Sequence, residues 1–469
     1  MLEARTLNLT MDLCLRVGEI LLSSGAGAAD VTATMQTLAW HFGVRNPDID
    51  VTFTSLSMSY QPSPEEPSFF QTRQVKQRDI DYEDLTLVDH LVREIAAGGV
   101  DLMEARTRLA RIVSSGHSLP RWAVTLAWGA MCGGVAILLG GTATVIAIAF
   151  GAAVCIDRLQ LVMARRRLPT FYQQVAGGAL ATILGVAAAW TGMVENPSLV
   201  VTANIIMLLA GIGFMGALQD ALSGFYVTAG ARLTEALLAT SGIIAGVSGG
   251  LTLAEVVHVD IDRMSLGTTG WESVTMLAVG AAICAAAFAI ACYAPKRIIL
   301  PIALIAAIAM LISQSFAIQG FGRAWPTAFA AFFVGLVSYT VAGRLRVPPL
   351  VVVVSAVVPM LPGLSIYRGL ALMAEGGAAT SQGLLAMVSA ASVATALSSG
   401  VILGEYVAQP LKREGRRLES RLAGPRLVGP PGTRPTRRAR KAAAKAAADL
   451  SHPVAETTPT RQFRSSKKR

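Results

Sequence analysis

From Arg121 to Gln409 the chain alternates long apolar runs with short polar joints. Ten apolar segments can be drawn, at 122–140, 142–162, 173–194, 198–218, 231–252, 273–293, 296–314, 325–343, 349–367 and 382–407. Each has roughly the 17–25 residues that a helix needs to cross a bilayer core. From Met1 to about Pro120 the pattern is amphipathic instead. Leu13, Val17, Ile20 and Leu21 recur at helical spacing, and Ser23-Ser24-Gly25 stops that helix. A second helix fits Ala29 to Phe42. The period then changes. Ile49, Val51, Phe53, Leu56 and Met58 predict one strand, Gln61-Pro62-Ser63-Pro64 a turn, and Phe69 to Arg78 the partner strand. Asp84 to Ala97 and Leu102 to Val113 predict two more helices.

Charge orients the pattern. Arg165, Arg166 and Arg167 follow the second segment, Lys296 and Arg297 the sixth, Arg344 and Arg346 the eighth, and Lys412 and Arg413 the tenth. Among the alternate joints, Glu195 lies in one and Glu255, Asp260, Asp262 and Glu272 in another. Lys and Arg collect on the cytoplasmic side of helical membrane proteins, so both termini are expected in the cytoplasm. Composition agrees: 53% of residues are hydrophobic and 15% charged, against about 25% charged in soluble chains. The net charge of +10 resides in the tail, where residues 411–469 carry 17 Lys and Arg against 4 Asp and Glu. That segment lacks the apolar content for a core and is expected to rest on anionic lipid; nucleic acid is not the expected partner. The polar start of the chain does not read as a signal peptide. Cys14, Cys132, Cys155, Cys284 and Cys292 form no CxxC pair and read as small hydrophobes.

The expected architecture is an all-α polytopic membrane protein of about ten transmembrane helices in two inverted five-helix repeats, preceded by a small α+β cytosolic domain. The boundaries fall at 1–120 for the cytosolic domain, 121–257 and 258–410 for the repeats, and 411–469 for a disordered basic tail. A displacement of 148 residues lays Ala217–Leu238 on Ser365–Ala386, bringing Leu222 onto Leu370, Ala231 onto Ala379 and Leu237 onto Leu385. It sets Gly211 and Gly213 near Pro359 and Pro362. Broken helices in matching positions of two halves point to a transport site. Gly211, Gly213 and Gly216 form one small-residue face, and Gly242, Gly246 and Gly250 another, for close packing of helices.

Charges inside membrane segments are costly and usually functional. Asp220, Arg232 and Glu235 surround the joint between segments four and five. Arg232 and Glu235 are three apart and share a helix face, with Asp220 competing for the same guanidinium. Moving a proton onto one carboxylate would shift the pairing, as in a gate or coupling site; an interfacial salt bridge is the plainer reading. Asn204 could bind an amino or carboxyl group, or bond a neighbouring helix. Asp157 is expected to be neutralised by Arg158 at the membrane face, and Glu405 sits in a similar place. Arg368, after the Pro362-Gly363 break, reads as the counterpart of the Asp220 region. Gln314 and Ser355 are weaker candidates. Arg73, Lys76 and Arg78 form a basic stripe, read as a solvated strand face or a contact with acidic lipid. Ser55, Ser57, His41, His90 and Asp89 offer a hydrolase inventory without a nucleophile elbow, and there is no P-loop, so the chain is not read as an enzyme. No cofactor or metal is implied.

The residues resemble the threonine/serine exporter family. In the first domain the likeness rests on Leu15-Arg16-Val17-Gly18-Glu19, Ser24-Gly25-Ala26, Asp30-Val31-Thr32, Val51-Thr52-Phe53-Thr54-Ser55, Thr72-Arg73, Asp81-Tyr82 and Pro120-Arg121-Trp122. In the membrane it rests on Arg167-Leu168-Pro169, Asp220-Ala221-Leu222-Ser223-Gly224 and Gly230-Ala231-Arg232-Leu233-Thr234-Glu235-Ala236. Where a Pro-Gly break is expected before the Asp segment, this chain has Gly211-Ile212-Gly213. The resemblance implies a ten-span exporter of small hydroxy amino acids across the cytoplasmic membrane, driven by proton antiport. Asp220, Arg232 and Glu235 would then gate or couple, while Asn204 and the two broken helices hold substrate. The alternatives are a small dicarboxylate (succinate-like) exporter and a membrane-anchored sensor with a ligand-binding N-terminal domain. A homo-oligomer is compatible with any of them.

Overall fold

The computed structural model describes residues 4–75, 79–194, 196–209, 211–256, 271–377 and 379–422. Lys76, Arg78, Glu195, Asp260, Asp262 and the tail from residue 423 lie outside the described residues, as do the side chains of Glu255, Glu272, Lys412 and Arg413. Met1–Arg413 form one compact unit and Glu414–Arg469 a second.

The N-terminal region builds α1 (Ala4–Ser23) and α2 (Ala28–His41), then an antiparallel sheet of β1 (Asp48–Val51), β2 (Ser55–Tyr60) and β3 (Phe69–Gln74), then α3 (Tyr82–Ala96) and α4 (Leu102–Ser114). Helix α1 stops where Gly25 takes a left-handed φ of 90°. Its face of Met11, Cys14, Val17 and Leu21 is buried against the rest of the domain. Asp81 and Asp101 cap α3 and α4 by accepting backbone N–H bonds.

One expectation is corrected by the structure. The single strand across Ile49–Met58 is two strands, paired with Val51 opposite Leu56. Thr52–Thr54 turn the chain: Thr52 N–H donates to Ser55 O at 2.9 Å, and the Thr52 and Ser55 hydroxyls lie 2.8 Å apart. Apolar alternation runs on through this turn, so periodicity alone hides it. Of the basic stripe only Arg73 is described: it is paired with Glu19 and lies 3.7 Å from Asp12, which itself holds Arg16 and Arg106.

The apolar region forms α5 (Arg121–Leu138), α6 (Ala143–Arg165), α7 (Thr170–Trp190), α8 (Pro197–Leu208), α9 (Gly211–Leu222) and α10 (Tyr226–Val256). After these come α11 (Trp271–Ala291), α12 (Lys296–Ile318), α13 (Ala324–Leu345), α14 (Pro349–Val357), α15 (Gly363–Glu375) and α16 (Ala379–Leu422). Eight of these helices are long and apolar enough to cross a membrane. The pair α8 and α9 is bent by 43°, and α14 with its 3-10 turn Val358–Met360 is bent by 50° from α15. If each bent pair is one span, there are ten. The bent pair is fourth of five elements in each half.

The two bends meet. A Cβ on Gly211 would lie 3.1 Å from Leu361 Cβ, and a Cβ on Gly363 would lie 3.0 Å from Leu209 Cδ1. Each glycine thus makes room for the leucine of the other break. The small-residue face of α10 works similarly, with Gly242, Gly246 and Gly250 pressed onto the backbone and side chains of α7.

The N-terminal region packs on one end of the helices. Tyr82 N–H donates to Cys292 O at 2.9 Å, and His90 Nε2 lies 2.6 Å from Arg346 O. The joints carrying Lys296, Arg297, Arg344 and Arg346 therefore share the face that bears this region.

A substitution of Gly211→Val should overpack the crossing and lower stability by about 1–3 kcal/mol. Adding Leu361→Ala should restore part of it. The thermal-unfolding midpoint of the purified chain checks this; an unchanged midpoint for Gly211→Val contradicts the reciprocal packing.

Candidate functional site

A cavity of about 730 Å³ runs from the N-terminal region to the crossing of the two breaks. Its floor is Leu209, Gly211 and Ile212 from one broken helix and Pro359, Leu361 and Gly363 from the other. Trp128, Met131 and Phe288 form apolar walls. At the mouth stand Asp79, Asp81, His117, Arg121, Asp157, Gln160 and Gln173. Most small-molecule sites are such concave, largely apolar spaces with a few converging polar groups, in the range of about 300–1,000 Å³.

The central polar pair at the mouth is Arg121 with Asp157. Arg121 opens α5 directly after Pro120, which ends the connection from α4. Asp157 lies two turns before the end of α6, so the antiparallel α5–α6 hairpin brings them together. Arg121 Nη2 donates to Asp157 Oδ1 at 2.7 Å, and Thr125 Oγ1 donates to Asp157 Oδ2 at 2.7 Å. Arg121 Nη1 is buried with no hydrogen-bond partner among the described residues. An orphaned guanidinium N–H in a cavity wall is a ready donor to an incoming anion.

The approach to Arg121 is pinned. His117 Nδ1 lies 3.2 Å from Asp81 Oδ2, and its ring stacks on Tyr293 at 4.0 Å. Ser118 N–H donates to Glu83 Oε2 at 3.0 Å. This crowding of carboxylates has a titration cost. Partial burial, then the charge of Asp81, pushes the Asp84 carboxyl up to about 6, with His117 opposing.

A second polar cluster joins the N-terminal region to the helices. Asp220 is 1% and Arg232 6% exposed, and Arg232 Nε lies 3.1 Å from Asp220 Oδ2. The N-terminal region supplies further partners. Ala28 N–H, at the start of α2, donates to Asp220 Oδ1 at 2.8 Å, and Arg232 Nη2 donates to Ala26 O at 2.7 Å. The preceding Gly27 has no side chain to cap α2, so Asp220 provides the cap from another part of the fold. The β1–β2 turn completes the contact: Thr228 Oγ1 donates to Val51 O at 2.9 Å, and the Phe53 ring lies 5.7 Å from the Arg232 guanidinium. Gly216 is needed here, because a Cβ would come 2.5 Å from Arg232 Nη1.

The structure separates the residues that the sequence singles out. Asp157, Gly211, Pro359 and Gly363 line the cavity. Asp157 is paired with Arg121 rather than with Arg158, which is exposed; sequence adjacency on a helix puts successive residues on different faces. Asp220, Arg232 and Gly216 form the contact with the N-terminal region, while Glu235, one turn along, is exposed. Asn204 is buried beside the cavity wall but not in it. Its Nδ2 donates to Val200 O at 2.8 Å, and its Oδ1 is buried without a hydrogen-bond partner among the described residues. Pro362 is buried in the break and Gly213 is half-buried on α9. Glu405 is half-buried next to Gly404, which packs on α13. Arg368 lines a separate, smaller pocket. Sequence reading missed Arg121, Gln160, Gln173 and His117. The available signal was an Arg at the start of one apolar run and an Asp near the end of the next, which a short hairpin must bring to the same membrane face.

The family profile described as "Putative threonine/serine exporter" matches residues 12–254, and one described as "Threonine/Serine exporter, ThrE" matches residues 277–407. The chain belongs to the threonine/serine exporter family. It is 36% identical over 431 residues to a probable threonine/serine exporter of Mycobacterium tuberculosis, covering 90% of this chain and 80% of that protein. It is 34% identical over 413 residues to the threonine/serine exporter of Corynebacterium glutamicum, covering 87% and 84%. A more distant match, 24% identical over 242 residues, is a probable succinate transporter subunit of Escherichia coli; it covers 51% of this chain and 93% of that protein. No solved structure matches the chain.

In this exporter, Asp220→Ala should leave Arg232 buried without its carboxylate and α2 without its cap, costing about 3–5 kcal/mol. Amide exchange at Ala28 and its neighbours should speed up, and Asp220→Ala with Arg232→Ala should recover part of the loss. Unchanged exchange at the start of α2 in Asp220→Ala would show that the contact holds nothing in place.

Asp84 gives a pH prediction. Its folded value of about 6 lies above the ordinary 3.8, so the folded state holds the proton more tightly. Stability from this group is full below about pH 4 and is lost as pH rises toward 6. Asp84→Asn should therefore raise the unfolding midpoint at pH 7 and leave it unchanged near pH 4. A midpoint lowered at pH 7 contradicts the assignment.

Proposed function

We propose that this chain exports threonine, serine or a related small polar amino acid across the cytoplasmic membrane by proton antiport, loading it through the 730 Å³ cavity. The observation that supports this most is the Arg121–Asp157 pair with its unpartnered Arg121 Nη1. An amino acid carries one carboxylate and one ammonium. Arg121 suits the first and Asp157 the second, and Gln160, Gln173 and the Thr125 hydroxyl stand within the same region for the side-chain hydroxyl. Binding such a zwitterion exchanges one neutral pair for two, so the cavity takes in no net charge. A dianion such as succinate would leave a surplus negative charge beside Asp157. The dicarboxylate reading, favoured by the name of the Escherichia coli relative, is therefore second.

Asp157 is the proposed coupling carboxylate. A proton on Asp157 frees its hold on Arg121 and removes the anion that attracts the ammonium; loss of the proton restores both. Asp220 and Arg232 carry a different part of the cycle. They tie α9, the second half of a broken helix, to α2 of the N-terminal region, so that a change at the break is felt there. Glu235 is kept as a surface charge near that contact.

The two halves are read as inverted repeats. The support is the bent pair at the fourth position of each half and the reciprocal seating of Gly211 on Leu361 and Gly363 on Leu209. The basic joints share the face of the N-terminal region, which the charge rule puts in the cytoplasm.

Proteoliposomes with an imposed pH gradient test this reading. Labelled threonine and serine should move and succinate should not. Arg121→Gln should cut export at least about tenfold, as expected for a lost charged hydrogen bond. Asp157→Asn, which also removes the anion facing the ammonium, should abolish net proton-driven export and weaken threonine–threonine exchange. Normal export with unchanged pH dependence in Asp157→Asn would return the coupling role to the Asp220, Arg232 and Glu235 cluster.

A further inference from the structure

A second pocket, of about 170 Å³, lies between the start of α13, α15 and α16. Arg323 and Arg368 both line it, with Ser365, Ser389 and Gln382. No Asp or Glu belongs to the lining, and among the described residues neither arginine has an ion-pair partner. Its place in the fold follows from the helices. Helix α12 starts at Lys296, on the face of the N-terminal region, and its 23 residues rise about 1.5 Å each. Arg323, just beyond its far end, therefore lies at the opposite face. Arg368 lies five residues past the Gly363 break on the same side.

Both arginines are exposed, and two guanidiniums that line one small pocket favour an anion between them. An arginine in a membrane helix does not face hydrocarbon; it turns to water or to a counter-charge. Hydroxyl and amide groups around the pair add donors for the same oxygens. The volume equals about five or six water molecules at roughly 30 Å³ each, which suits a single carboxylate or phosphate group with a short attachment.

We propose that Arg323 and Arg368 form an oxyanion-binding site at the face opposite the N-terminal region. Its ligand chemistry is a carboxylate or phosphate. One source is the carboxylate of an amino acid leaving the crossing of the breaks, which rests on the export reading above. The other is the headgroup of an anionic lipid. In the first case both ends of the pathway present arginine, Arg121 at entry and the Arg323–Arg368 pair at exit.

The full chain is reconstituted in vesicles of zwitterionic lipid alone and in vesicles with added anionic lipid. Exchange of L-threonine supplied on the Arg323 side is then measured. If the substrate carboxylate is the ligand, Arg323→Gln and Arg368→Gln each raise half-saturation on that side about tenfold in both vesicles. Half-saturation on the side of the N-terminal region stays the same, and Arg→Lys at either position recovers part of the loss. If the headgroup of an anionic lipid is the ligand, the variants differ from wild type only in vesicles with anionic lipid. Variants that match wild type in both vesicles overturn the site. If the chain moves no threonine at all, the export reading fails by itself. The site is then read from the unfolding midpoint in neutral detergent with sodium acetate or inorganic phosphate. Wild type should be stabilised by one of them and the double Gln variant by neither; an equal response overturns the proposal.

Discussion

A helix interrupted within an apolar medium frees backbone groups that lipid cannot satisfy. Such a break survives only where it is buried in protein or lines a water-accessible space. That constraint organises this molecule. The breaks after Leu208 and after Met360 are seated on each other, Gly211 under Leu361 and Gly363 under Leu209, and together they floor the one large cavity described. A lone break would need some other cover. Two breaks in corresponding positions provide it for each other.

The N-terminal region belongs to the same physical problem. Burying Asp220 and Arg232 together removes two charges from water, and their attraction alone does not offset that loss unless the remaining donors and acceptors are met. Ala28 N–H and Ala26 O meet them, and Phe53 covers the guanidinium. The region is thus not a detachable accessory but part of the solvation of charges carried by α9 and α10. This explains why the first 120 residues and the helices form one compact unit. It also places the loop before Arg121, held by Asp81, Glu83 and His117, at the cavity mouth.

Much of this architecture was legible because the bilayer imposes a simple rule on sequence. Runs of Val, Ala, Leu and Ile of sufficient length marked the helices, and alternate basic joints marked one face. Gly211 and Pro362-Gly363 marked the breaks because each either frees or restricts the backbone. The site was less legible. Asp157 was read as neutralised by its neighbour Arg158, but its partner is 36 positions away and depends on how α5 and α6 pair. The Thr52–Thr54 turn hid in continuous alternation, and with it the contact of Phe53 with Arg232. Asp220 and Arg232 were read as partners, yet nothing local could show that Ala26 and Ala28 also bond to them. Arg323 attracted no notice, since a single Arg in a joint reads as a surface charge until a second one is brought beside it.

The central claim is that the substrate lies between the Arg121–Asp157 pair and the crossing of the two breaks. A structure of the full chain with L-threonine in a lipid nanodisc tests it most directly. Density is expected in the cavity, with the carboxylate on Arg121 and the ammonium on Asp157. Threonine bound against Asn204 or at the Asp220–Arg232 contact, with the cavity free of it, would contradict the account.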